Sequence, residues 1–363
     1  MNFTDYLNYV KSQLTDLVRF RLIRIVLGNE ACDLDSTISA CIYAYFLHST
    51  CQTNNEVLHV PMLQIKSSIF TEIRWFLKEH YSNMIFIDSI NLSDLYKQEK
   101  FEIVLVDHHS LRSKLNQVFV SKVKIEHVGS CCTLIAEKIF ASNANFHVTD
   151  EIAYLLTEHQ LLFIQGSILF GTLNFSSNAG KATKKDKQIY EQLLTCQTSR
   201  VDDFKLYKDL RQSTADITGM SIQDLLQKDA KQVAGPNMRL LISSLPSEYT
   251  VEKLIGELKT MKDMDEFLSK NDNADGVIIL SLETHNDEIK RQLGFYAKKF
   301  EHMLPINEYI QREEHNLSLR ERGIPINQAR IKLFEQRNVQ ASSKEILPLI
   351  EQFIKDFAPQ NSS

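Results

Sequence analysis

Two carboxylates separated by a single residue, Asp33 and Asp35, follow the apolar run Leu22-Ile23-Arg24-Ile25-Val26-Leu27 in the segment Gly28-Asn29-Glu30-Ala31-Cys32-Asp33-Leu34-Asp35-Ser36. On an extended segment such residues share a face, a spacing that suits two ligands of a metal site. Asp88 closes the run Met84-Ile85-Phe86-Ile87, and the triplet Asp107-His108-His109 closes Ile103-Val104-Leu105-Val106. Carboxylate oxygens with imidazole and no thiolate suit Mg or Mn, with Zn or Co admissible where histidine takes part. A shared carboxylate can bridge two such ions. Taken alone, Asp33 and Asp35 suit a turn or a helix cap equally well, and Asp88 a turn. The triplet is harder to read as structural, because three adjacent polar groups at the end of an apolar strand are costly to bury without partners.

Chemistry at strand ends needs elements that bring those ends to one edge. From Arg21 onward, short β-branched runs alternate with longer segments of helical period, the pattern of an α/β domain with a mostly parallel, doubly wound sheet. In such sheets ligands lie beyond the carboxyl ends of the strands, where these acids and histidines stand. Ser36 to His48 reads as a buried helix opened by a serine, and Ser130 to Phe140 as another behind Gly129. Beyond about residue 195 the pattern changes. Thr198 to Ser213 is polar, Asp224 to Lys231, Val251 to Met264 and Ile346 to Phe357 read as helices, and Gly276 to Leu282 reads as a strand. These features divide the chain into a domain over 1–200 and a smaller α/β domain over 213–359.

The chain has 363 residues, 43% of them hydrophobic and 24% charged, enough for two domain cores. With 41 Lys and Arg against 46 Asp and Glu, the formal charge of −5 argues against nucleic acid or an anionic membrane as partner. No apolar run reaches the roughly 18 residues of a spanning helix. The six cysteines lack a CxxC pair, and the absence of a secretory leader pattern joins them in predicting a reducing, cytoplasmic location.

The segments Gly28–Thr37, Ile85–Asp88, Val106–His109 and Val128-Gly129-Ser130-Cys131-Cys132-Thr133 resemble the motifs of the DHH phosphoesterases, and within them the prune proteins and short-chain exopolyphosphatases, relatives of the manganese-dependent family II inorganic pyrophosphatases. Gly180 to Asp186, Leu226-Gln227-Lys228-Asp229 and Val339 to Glu345 resemble prune segments as well, and the second domain resembles the DHHA2 type. The resemblance implies a phosphoanhydride hydrolase with its active-site cleft between two domains and with one or two Mn or Mg ions. It implies Asp33, Asp35, Asp88, Asp107 and His108 as metal ligands. Asp107, His108 and His109 would be the catalytic group, with Asn29, His109 and Lys344 on the substrate. Asparagine at position 29, in place of the histidine of the pyrophosphatases, is usual in the prune branch. Two cations about 3.5 to 4 Å apart would clamp the attacking and leaving oxygens and lower the pKa of a bridging water.

Two positions depart from the family pattern. Its fourth motif places an aspartate after an apolar strand, where this chain has Gly171 within Ser167-Ile168-Leu169-Phe170-Gly171-Thr172-Leu173-Asn174-Phe175. Its phosphate-binding Ser-Arg-Lys is here Ser342-Ser343-Lys344, followed by the acid Glu345. A serine cannot reproduce the bidentate fork of arginine. The expectation is a weakened hydrolase acting on short polyphosphate, pyrophosphate or cyclic nucleotides. The alternative is an inactive scaffold working through a partner such as nucleoside diphosphate kinase. Lys181, Lys184 and Lys185 read as a solvated loop, Glu158-His159 as a helix-surface pair, and Tyr43, Tyr45 and Phe46 as core.

Overall fold

The structure, a computed structural model, describes residues 1–28, 33–52, 56–63, 101–107, 120–142, 156–258, 261–285, 288–312, 315–324 and 330–357. The strand expected at 84–87 lies outside them, as do Asn29, Asp88, His108 and His109. The chain forms two compact units. One comprises Met1–Ser177 with Lys181–Ser213, the other Asn178–Gly180 with Thr214–Ser363.

The first unit is built on four parallel strands, β1 (Leu22–Leu27), β2 (Val57–Met62), β3 (Phe101–Asp107) and β4 (Val120–Ile125), in the order β2-β1-β3-β4. Helix α1 (Phe3–Gln13) packs beside β2, and α2 (Leu34–Thr50) against β1 and β2. Helix α2 is apolar almost all round, as a helix enclosed by its domain must be, and Tyr43, Tyr45 and Phe46 are buried in it as expected. It starts two residues before Ser36, because Asp33 and not a serine caps it. Helix α3 (Cys131–Ser142), α4 (Glu158–Gly171) and α5 (Lys184–Thr195) complete the core, and α6 (Asp203–Ala215) occupies the polar stretch after it.

The second unit holds a six-stranded sheet in the order β5-β6-β7-β8-β10-β9. Its strands are β5 (Ala230–Ala234), β6 (Arg239–Ser244), β7 (Gly276–His285), β8 (Glu288–Ala297), β9 (Leu319–Arg322) and β10 (Ile331–Gln336). Only β6 and β7 pair in parallel. The helix expected over 224–231 is shorter: α7 (Ile222–Gln227) stops where β5 begins. The single helix expected over 251–264 is two, α8 (Val251–Glu257) and α9 (Lys262–Lys270). With α10 (Phe300–Ile310) and α11 (Ser343–Asp356), the helices bury separate apolar clusters on the sheet. Among the described residues no helix is long and apolar enough to cross a membrane.

One contact ties three elements of the first unit together. Asp186, fully buried, accepts hydrogen bonds from Gly129 N (2.8 Å), Thr133 Oγ1 (2.6 Å), and Thr183 N and Oγ1 (both 2.7 Å). Thr183 caps α5 and receives Asp186 N in return, so a local capping box also clamps the turn that leads into α3. Asp186→Ala should therefore lower stability by about 3 kcal/mol, since buried donors lose a charged acceptor. The readout is the urea midpoint at unchanged m-value, and a loss under about 1 kcal/mol would mean that the donors find other partners.

Candidate metal centre

Parallel strands put their carboxyl ends at one edge of the sheet. There β1 runs through Gly28 towards Asp33, β3 ends on Asp107 opposite Ile125, and β4 leads through Val128-Gly129-Ser130 into α3. Three expected site positions, Asp33, Asp35 and Asp107, thus belong to adjoining segments of one edge.

The two acids of the first motif do not lie on an extended segment. Asp33 has extended backbone, φ −68° and ψ 177°, but it is the N-cap of α2, its Oδ1 accepting from Ser36 N at 2.9 Å. Asp35 already sits in the first helical turn. The capping reading of Asp33 holds, and the cap fixes its carboxylate at the start of α2.

Asp35 is 8% exposed. Its Oδ1 accepts from Ser130 Oγ (2.6 Å) and Cys132 N (3.1 Å), its Oδ2 from Cys131 N (2.7 Å). The carboxylate thus faces the N-terminal end of α3, where backbone N–H groups and the helix dipole favour an anion. Burial, and after it the Asp33 carboxylate, push the Asp35 carboxyl up to about 6, while the bonds from Ser130, Cys131 and Cys132 pull it down. Cys131 and Cys132 are both buried, form no disulfide, and contribute their backbone to Asp35. Burial raises the Cys132 thiol well above its ordinary range, which leaves it protonated and inert.

Two half-buried or buried carboxylates close enough to repel are suited to a hard cation, and such oxygen donors fit Mg or Mn. Among the described residues no three His, Cys, Asp or Glu come together as a metal-binding group. The other expected ligands, Asp88, His108 and the side chain of Asp107, lie outside those residues. A second cation fits less well. The fourth-motif segment is not a strand: Gly171 is the last residue of α4, because the apolar run Ser167–Phe170 belongs to a helix buried nearly all round. Glycine brings no donor, and a Cβ there would lie 2.9 Å from Gly129 O and 3.1 Å from Ser130 Cβ. Leu173, Asn174 and Phe175 then follow with φ of 53°, 53° and 57°. Consecutive left-handed residues other than glycine are strained, a feature that concentrates at functional sites.

In the second unit Ser342 caps α11, and its N and Oγ donate to Glu345 Oε2 at 2.7 and 2.8 Å. Glu345 is thus half of a capping box and not a charge added to a phosphate site. Ser343 and Lys344 occupy the first two helical positions. The buried Gln336 side chain shapes the approach to this cap by donating to Asn338 O and Ala341 O. Gln227 ends α7, half-buried. Lys185 is not a solvated loop residue: it lies in α5 and pairs with Glu126 (2.5 Å) and Glu137 (2.7 Å). Glu158 opens α4 and accepts from Thr198 N and Oγ1, which lowers its pKa. Asp186 is the residue that sequence reasoning passed over. The pattern Thr183-x-x-Asp186 announces a capping box, while its reach to Gly129 and Thr133 has no local signal.

A family model described as the DHHA2 domain matches residues 208–353. Human exopolyphosphatase PRUNE1 is 27% identical in an alignment that covers 97% of this chain and 80% of that protein. A Schizosaccharomyces pombe protein assigned as an exopolyphosphatase is 25% identical over 92% of this chain and 91% of its own. The fold is similar to that of a Methanococcus jannaschii protein assigned as a family II inorganic pyrophosphatase, with a TM-score of 0.61 at 17% identity, covering 92% of this chain and 99% of that one. The DHHA2 match over residues 208–353 and the exopolyphosphatase relatives along nearly the whole chain have one reading in common: the chain carries a DHHA2 domain and is similar from end to end to prune-type exopolyphosphatases.

Proposed function

We propose that this chain is a divalent-cation-dependent phosphohydrolase with weakened turnover, acting on short-chain polyphosphate or pyrophosphate, or on a cyclic nucleotide phosphodiester. The observation that carries the reading is the delivery of Asp33, Asp35 and Asp107 to one edge of a parallel sheet in a chain whose relatives are named exopolyphosphatases. Asp33, Asp35, Asp88, Asp107 and His108 are the proposed ligand set for Mn or Mg. A cation held there would polarise a phosphoryl oxygen and acidify a water.

The remaining roles fall to the protein. His109 and Asn29 face the substrate, and Lys344, at the second position of α11, holds a phosphate as a point charge. Asp33 is fixed by its cap to Ser36, so its position at the edge costs no reorganisation when a substrate arrives. Ser343 leaves the phosphate one charged fork short, which weakens binding of a polyanion. The DHH domain is proposed over 1–200 and the DHHA2-type phosphate-binding domain over 213–359, in a cytoplasmic protein. The close contact of Gly171 favours a second reading, a prune-like scaffold that binds but does not turn over, with nucleoside diphosphate kinase as a candidate partner.

Phosphate release from tripolyphosphate and pyrophosphate with Mn or Mg separates the two. Slow release that disappears in Asp107→Ala is the expected result, whereas no release under either metal assigns the protein to the scaffold reading. Ser343→Arg should lower KM for tripolyphosphate about tenfold, the order expected of one added charge-assisted contact. An unchanged KM would remove the cap of α11 from the substrate site.

A further inference from the structure

Arg291 of β8 and Gln336 of β10 are register partners, two residues along from the partners Leu293 and Phe334. They therefore lie on the sheet face where Leu293, Phe334 and the α11 residues Ile346 and Ile350 form one apolar cluster. The two polar residues are only 8% and 3% exposed. Both give donors to the backbone of the segment 337–341, which joins β10 to α11. Arg291 Nε donates to Val339 O at 2.7 Å, and Gln336 Nε2 to Asn338 O at 2.7 Å and Ala341 O at 2.6 Å. The segment is tied from its other side as well, where Arg337 N donates to Ser318 O at 3.1 Å and Asn338 Nδ2 to Asn316 O at 2.7 Å. A shift of the segment would strip buried side chains of their acceptors, which is costly.

Helix α11 does not need these bonds in order to start. Ser342 and Glu345 form its capping box by themselves, so Arg291 and Gln336 fix not whether the first turn forms but where it stands on the sheet. That turn holds Ser343 and Lys344. Lysine is a point charge on a flexible stem, so its reach depends on where its backbone is held, and the serine beside it supplies no fork to share the task. We infer that Arg291 and Gln336 are positioning residues for polyphosphate binding: through the carbonyls of Asn338, Val339 and Ala341 they hold the start of α11, and with it Lys344, in the place where a phosphate is taken. The inference rests on the reading of Lys344 as a phosphate-binding residue given above. Neither side chain touches the phosphate; their contribution is to order the segment before the ligand arrives, which spares binding that cost.

The test is a double-mutant cycle on the full chain. Affinity for imidodiphosphate, a pyrophosphate analogue that resists hydrolysis, is read by titration calorimetry with Mg present, and the melting temperature is read alongside. Lys344→Ala should weaken binding roughly tenfold, the loss of one charge-assisted contact. Arg291→Lys keeps the charge but has a methylene where Nε donates to Val339 O. It should weaken binding by a similar factor, and the double variant should bind no more weakly than Lys344→Ala, because the arginine acts through that lysine. Gln336→Leu, close in size, removes the bonds to Asn338 O and Ala341 O and carries the same comparison should Arg291→Lys fail to fold. A lowered melting temperature at unchanged affinity would make both residues structural alone, and losses that add in the double variant would mean that Arg291 acts apart from Lys344. Either result overturns the inference and leaves the phosphate site standing. Lys344→Ala binding as tightly as the wild type, or a wild type that does not bind, would overturn the reading of Lys344 and the inference with it.

Discussion

The bonds between the Asp35 carboxylate and the first residues of α3 hold the rest of the site region in place. A buried carboxylate costs several kcal/mol unless donors reach it, and here the donors are two backbone N–H groups and a serine hydroxyl on consecutive residues. Backbone donors cannot rotate away as a side chain can. The position of α2, which begins at the end of β1, therefore determines the position of α3, which follows β4. Asp186 applies the same device from the other side, and its capping box carries the constraint into α5. Two acids far apart in sequence thus grip one turn, and the strand ends between them inherit its rigidity.

That rigidity explains why the neighbouring backbone can hold strain. Leu173, Asn174 and Phe175 all have left-handed backbone at a cost of order 1 to 2 kcal/mol each. They are held by Asn174 N donating to Leu169 O at 2.7 Å and Phe175 N to Thr172 Oγ1 at 3.3 Å, while Thr172 itself is pressed on Gly129. The turn after α4 is over-determined by its contacts.

Much of this was legible in the sequence where pattern and boundary agreed. The run Leu22–Leu27 is a strand at those limits, since β-branched residues end at a glycine and a polar cluster. The acids Asp33 and Asp107 stood out in the sequence because each follows an apolar run that is a strand. Where the reading failed, the reasons are physical. Ser167–Phe170 looks like a strand because a helix buried on every side shows no apolar period, and a short apolar run does not distinguish the two. Asp224 to Lys231 holds a helix end and a strand start with no glycine or proline between them to mark the change. Asp33 was read both as ligand and as cap because one carboxylate has two oxygens and a strand end is also a helix start. The partners of Asp186 are 53 and 57 residues away, and nothing in a local window encodes that distance.

The two departures from the family pattern differ in kind for the same reason. At Ser343 the local structure does not depend on the missing arginine: Ser342 and Glu345 cap α11 by themselves, and the first helical position accepts many side chains. That change alters the local charge at the start of α11 and little else. At Gly171 the absence of a side chain is part of the packing, because helix α4 ends against the backbone that binds Asp35 and Asp186. A substitution there must move Gly129, and moving Gly129 disturbs both buried carboxylates. Of the two changes, the one at position 171 is therefore bound to the fold, and the one at position 343 is not.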